Sequence, residues 1–130
     1  MNFTVFDVPA IRRALEANQL GIAMSFGLTG AMDISSNDLE CMARAERHLP
    51  DTITLARDVS ATHVCGILYS AFRKYQTPPT EDGIARSVDV TRRVAELAPA
   101  SGIILGMESS TRMRQMCSTP CVGLSLFVTA

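Results

Sequence analysis

The sequence predicts an α/β domain in which helices cover a parallel sheet. Segments with helical spacing alternate with short apolar runs along the chain. Those runs are continuously apolar, as in strands buried on both faces, where a strand with one wet face would alternate. The chain has 130 residues, 47% hydrophobic and 19% charged, which suits one core and a single domain over 1–130.

The first element is a helix from Val8 to Leu20. Val8, Ile11 and Leu15 share one side, Arg12, Arg13 and Glu16 the other, and Pro9 suits a first turn, where its missing N–H leaves no bond unmade. "GIAMSFGL", 21–28, then reads as a short buried strand bracketed by glycines. Beyond the loop "TGAMDISS", the tetrad Asn37-Asp38-Leu39-Glu40 sets a side-chain acceptor three residues ahead of a glutamate, a capping-box-like helix start. Met42, Leu49, Ile53 and Ala56 continue the helical spacing. Pro50 falls inside it, where it removes a backbone donor and crowds the preceding turn, so a kink or two shorter helices are expected.

"THVCGIL", Thr62 to Leu68, is the next strand, and "YSAFRKYQTPPTED" the longest loop. A long helix follows from Glu81 to Pro99, with Arg86, Asp89, Arg93 and Glu96 on one face and Ile84, Val88, Thr91 and Ala95 on the other; Leu97 strays toward the charged side. "GIILGME" and "CVGLSLFV" complete the order α-β-α-β-α-β-β. The link between these last two runs is short for a covering helix and no helical segment follows the second, so pieces of a larger fold are expected to be missing.

Composition excludes several classes. The net charge is −1 and the pI about 6.1, with no Lys/Arg stripe, so nucleic acid is not an expected partner. Mean hydropathy is +0.17, and the opening "MNFTVFDVPAIRR" has neither a basic leader ahead of an apolar stretch nor a spanning segment, so no membrane partner and a cytoplasmic location are expected. Cys41, Cys65, Cys117 and Cys121 form no Cys-x-x-Cys pair and only His48 and His63 could complete a zinc set, so partly buried thiols are expected. The seven methionines read as core fillers. Ser70, Ser109, Ser110 and Ser125 lie in no Gly-x-Ser-x-Gly elbow. Gly27-Leu28-Thr29-Gly30 stands between a strand and a helix, as a phosphate-binding turn would, but lacks both the rest of a dinucleotide fingerprint and a P-loop lysine.

Glu108 stands out by position. It ends an apolar strand, and in parallel α/β folds ligands bind beyond the carboxyl ends of strands.

Four segments taken together, "GLTGAMDISSND", "ATHVCGILYSAF", "IARSVDVTRRVAELA" and "GIILGMESSTR", resemble the sugar isomerase/epimerase family with a xylose-isomerase-like TIM barrel, and within it the ketose 3-epimerases of the D-tagatose and D-psicose type. The similarity covers residues 20–112 and places the segments as the second to fourth β/α units of a (β/α)8 barrel. The resemblance implies a divalent ion, manganese, magnesium or cobalt, holding a ketose at the barrel mouth while carboxylates move the proton next to its carbonyl through an enediolate. It further implies that Glu108 is a metal ligand and one of two acid/base carboxylates, that Arg112 is the arginine of the same motif, and that Phe72 and Ile67 face the sugar as an aromatic and an apolar wall.

Some positions depart from the family pattern. Thr111 stands for its asparagine, Arg114 for a glutamate, and Ser125 and Val128 for a second metal ligand and a substrate histidine. A whole barrel needs about 250 residues, so a truncated, half-barrel domain is expected, impaired or inactive by itself. The alternative from another class is a non-catalytic remnant that self-associates through open sheet edges, and a homo-oligomer is expected in either case. A flavodoxin-like phosphate module is the third reading.

Overall fold

A computed structural model describes residues 6–108. The expected last strand and Thr111, Arg112, Arg114, Ser125 and Val128 lie outside the described residues. The described elements run α1 (Val8–Ala17), β1 (Ala23–Ser25), α2 (Leu39–Asp58), β2 (His63–Gly66), α3 (Glu81–Ala100) and β3 (Ile104–Met107). The strands form one parallel sheet in the order β1-β2-β3, with Met24 opposite Val64 and Val64 opposite Leu105. Each crossover carries a helix, as the sequence predicts, while each strand is shorter than its apolar run.

α1 opens on Asp7, whose carboxylate accepts from the Ala10 amide at 2.9 Å, and closes at Ala17, short of the expected Leu20. α2 is capped one residue later than expected: Asp38 accepts from the Glu40 and Cys41 amides at 2.9 and 3.3 Å, while Asn37 accepts from Arg86. Of the two outcomes expected at Pro50, a kink or two shorter helices, the second does not occur: Pro50 lies inside a single continuous helix. The buried face of Ala45, Leu49, Thr52, Ile53 and Ala56 runs straight past it, and packing along that face outweighs one missing backbone bond. The hydroxyls of Thr52 and Thr54 donate to the His48 and Pro50 carbonyls at 2.9 and 3.0 Å on either side.

The packing face of α3 also corrects the sequence reading. Gly83, Ser87, Val90, Val94 and Ala98 are buried, whereas Ile84 and Val88 are 40% and 50% exposed. Close approach explains the choice: a Cβ at Gly83 would stand 2.8 Å from the Ser35 carbonyl oxygen, and the Ser87 hydroxyl donates to the Tyr69 carbonyl at 2.5 Å. The buried stripe is therefore small and polar at its start, where bulk was taken as the marker. Between sheet and helices, Leu28, Ile34, Leu49, Ile53, Val64, Val90 and Leu105 form the core, with Met24, Met32 and Met107 filling in against it. No helix among the described residues is long and apolar enough to cross a membrane.

Candidate functional site

Because the strands are parallel, their carboxyl ends share one edge, where loops can collect side chains around a ligand. Gly66 makes that edge possible. Its φ is +140°, and a Cβ there would fall 1.8 Å from the Phe26 carbonyl oxygen, so only glycine lets the chain leaving β1 lie against the end of β2. Pairing continues past the strands: the Phe26 amide donates to Cys65 O at 2.9 Å, Leu28 to Ile67 O at 3.2 Å, and Glu108 to Gly66 O at 3.0 Å.

The three site residues expected from the sequence lie along this edge in different environments. Ile67, directly after β2, is buried with 6% of its surface exposed. Phe72 is 61% exposed beside the continuation of β1, its amide donating to Leu28 O at 2.6 Å. Glu108 is exposed directly after β3, its backbone fixed by Gly66. The frame thus presents an aromatic ring and a carboxylate to solvent, with a buried aliphatic residue between them in the strand order.

A second carboxylate belongs to the same end of the sheet and escaped the sequence reading. Asp33, 1% exposed, lies in the loop between β1 and α2. Its Oδ1 accepts from the Ser35 amide at 3.0 Å and the Ser35 hydroxyl at 2.6 Å, and its Oδ2 from the Tyr75 hydroxyl at 2.6 Å. The Arg73 guanidinium approaches Oδ2 at 4.0 Å and lies 4.9 Å from the centre of the Tyr75 ring. Burial first, and then donation to Asp33, push the Tyr75 phenol above its ordinary range. The Asp-x-Ser spacing signals a local turn of this kind, but Tyr75 lies too far along the chain for any local pattern to reveal it.

His48 on α2 is buried against Phe26, with ring centres 4.9 Å apart, and burial lowers its pKa. Its ring belongs to the buried side of α2. Cys41 is buried and Cys65 half-buried, both as free thiols.

A divalent ion needs several donors converging on one point. Among the described residues no group of three or more His, Cys, Asp or Glu side chains is placed to hold one, and Asp33 is committed to hydrogen bonds. These residues offer one open carboxylate at the edge, Glu108, and do not make a metal site by themselves.

No family model matches the chain. It is 36% identical over 107 residues to a ketose 3-epimerase of Arthrobacter globiformis, covering 82% of this chain and 37% of that one. It is 34% identical over 120 residues to an L-ribulose 3-epimerase of Mesorhizobium japonicum, covering 92% of this chain and 40% of that one. A solved L-ribulose 3-epimerase structure superimposes with a TM-score of 0.80 at 34% identity, over 87% of this chain and 38% of that one. The parallel β/α units described above are therefore part of a TIM-barrel epimerase fold. By sequence and by fold the chain belongs with the ketose 3-epimerases of the sugar isomerase/epimerase family, spanning about two fifths of the length of these relatives.

Proposed function

We propose that this chain is a ketose 3-epimerase-type domain in which Glu108 is the carboxylate that exchanges a proton with the carbon next to a ketose carbonyl. The observation that carries this reading is the position of Glu108: exposed, at the carboxyl end of β3, and held by the hydrogen bond that its amide donates to the Gly66 carbonyl, which extends the sheet. Phe72 offers its ring to the C–H face of the sugar, and Ile67 backs the site from beneath. Epimerisation needs a proton removed from one face and returned on the other. Glu108 supplies one such group, so residues 6–108 alone do not complete the reaction. A divalent ion is part of this reading only together with donors from beyond the described residues.

A chimera tests it. This chain replaces the 120 matched residues of the Mesorhizobium japonicum relative, and 3-epimerisation of D-fructose and D-tagatose is followed by chromatography. The folded chimera is expected to turn over, and Glu108→Gln to abolish turnover. Turnover unchanged by Glu108→Gln would remove Glu108 from the chemistry. The isolated chain is expected to show no epimerisation and only weak manganese uptake by calorimetry.

A second reading, self-association, is favoured by the exposed apolar pair Ile84 and Val88, one turn apart on α3 and 40% and 50% exposed. The two readings are compatible. Light scattering across concentration decides this one, because a mass fixed at one chain leaves no place for a homo-oligomer.

A further inference from the structure

We propose that Asp33 and Tyr75 are positioning residues whose hydrogen bond fixes Phe72 at the carboxyl-end edge of the sheet. The inference rests on the reading of that edge as a sugar site. Packing cannot aim Phe72, because 61% of it is exposed. Its direction is set by the backbone, and both neighbouring amides are held. The Phe72 amide donates to Leu28 O at 2.6 Å, and the Ala71 amide donates to the Tyr75 oxygen at 2.9 Å. Tyr75 in turn donates its proton to Asp33 at 2.6 Å, so its oxygen is oriented to accept from Ala71.

The carboxylate at the base of this chain is an expensive choice for mere packing. A carboxylate taken out of water is strongly disfavoured unless fully partnered, and an apolar pair of the same size would often hold two loops as well. What a carboxylate adds is direction. Asp33 accepts from Tyr75 on one oxygen and from Ser35 on the other, and so joins the loop after β1 to the loop after β2 in one geometry. Arg73, next to Phe72, closes the arrangement from outside through its approach to Asp33 and to the Tyr75 ring. Removing the Tyr75 hydroxyl unties Ala71 and Asp33 together while leaving the aromatic ring and its packing.

The test uses the full chain and two readouts. Arg73 and Lys74 are exposed and lie in the held loop, while Arg92 and Arg93 are exposed on α3. Trypsin cutting at each pair, followed by mass spectrometry, compares opening of the loop with opening of the fold. Tyr75→Phe is expected to speed cutting after Arg73 and Lys74 by about tenfold or more, tenfold being the factor that each of its two lost hydrogen bonds gives to a local opening, with no matching rise at Arg92 and Arg93. Asp33→Asn, which keeps an acceptor for Tyr75, is expected to restore part of the protection. Equal acceleration at both pairs, or none at either, would overturn the proposal.

The chain has no tryptophan, so Phe72→Trp adds a single tryptophan, excited apart from the tyrosines, at the position in question. Its anisotropy is expected to drop when Tyr75→Phe is added. D-Fructose or D-tagatose at millimolar levels, added to the chimera carrying Phe72→Trp, tests the sugar site separately. If sugar leaves the emission unchanged while Tyr75→Phe still loosens the loop, the sugar reading of Phe72 fails and the positioning pair stands. If sugar changes the emission equally with and without Tyr75→Phe, the pair does not position Phe72.

Discussion

Two carboxylates at the same end of the sheet are treated oppositely by the fold. Asp33, between β1 and α2, is enclosed and partnered on both oxygens, whereas Glu108, after β3, is exposed and, among the described residues, held through its backbone. The first is committed to structure: its proton acceptors are used, and it joins two loops. The second is exposed at the sheet edge, the open position that the proposed proton exchange requires. The difference teaches that carboxylate chemistry at a barrel mouth depends on the carboxylates the frame leaves unspent, each supported by others it has consumed.

The largest effect is expected where the two regions meet. Gly66 admits the Phe26 carbonyl on one side and accepts the Glu108 amide on the other. Gly66→Ala places a methyl 1.8 Å from a backbone oxygen at a φ of +140°, and no side-chain adjustment relieves a clash with backbone. A loss of more than about 4 kcal/mol is expected, in the class of exceptional single substitutions. Urea unfolding followed by circular dichroism measures it. A midpoint close to that of the parent would mean that the two ends of the sheet are not locked together through Gly66.

Asp33→Ala comes next. It strands the Tyr75 hydroxyl and both Ser35 donors. At about 1–3 kcal/mol for an unpartnered buried group, with water reaching some of them, a loss of about 3 kcal/mol is expected. Tyr75→Phe leaves Asp33 with its Ser35 bonds but removes the bonds to Asp33 and from the Ala71 amide, and should lose less, about 2 kcal/mol. If the two variants were equally destabilised, the Ser35 bonds would contribute nothing and Asp33 would act through Tyr75 alone.

The same contrast explains what was legible in the sequence. Glu108 could be found because it ends an apolar run, a signal carried by its immediate neighbours. Asp33 could not, because its meaning depends on Tyr75, brought to it by the fold from the far side of α2 and β2. The order of the six described elements and the parallel sheet followed from periodicity, since alternating patterns are local. The packing face of α3 did not. The helix turns Gly83 and Ser87 inward because the Ser35 and Tyr69 carbonyls lie against it, and hydrophobicity does not register backbone approach. At Pro50, too, the local cost is real, but the buried stripe of α2 running past it keeps the helix from dividing.

A smaller effect is expected from pH, through a group that belongs to neither carboxylate region and packs against Phe26, just past β1. Burial lowers the His48 pKa below its ordinary value of 6.5, so the fold prefers the neutral ring. The sign follows from linkage: the unfolded chain takes up the proton first as pH falls, so the contribution is complete above 6.5 and is lost as pH falls through the lower folded value. The melting temperature is expected to decline from pH 7 to pH 5, and His48→Gln to flatten that decline. An unchanged slope in the variant would place the pH dependence elsewhere.

The smallest expected change is the most informative about the comparison. Glu108→Gln removes the charge of the open carboxylate, keeps its shape, and leaves the hydrogen bond from its amide to the Gly66 carbonyl untouched. An exposed side chain without a structural partner changes stability by less than about 0.5 kcal/mol when replaced. A stability loss comparable to that of Asp33→Ala would show that Glu108 is also consumed by the fold, and the distinction between the two carboxylates would collapse. An unchanged melt, alongside lost turnover in the chimera, separates chemistry from scaffold at this position. The fold then specifies where Glu108 stands without depending on it, which is the condition under which a carboxylate is free to serve a substrate.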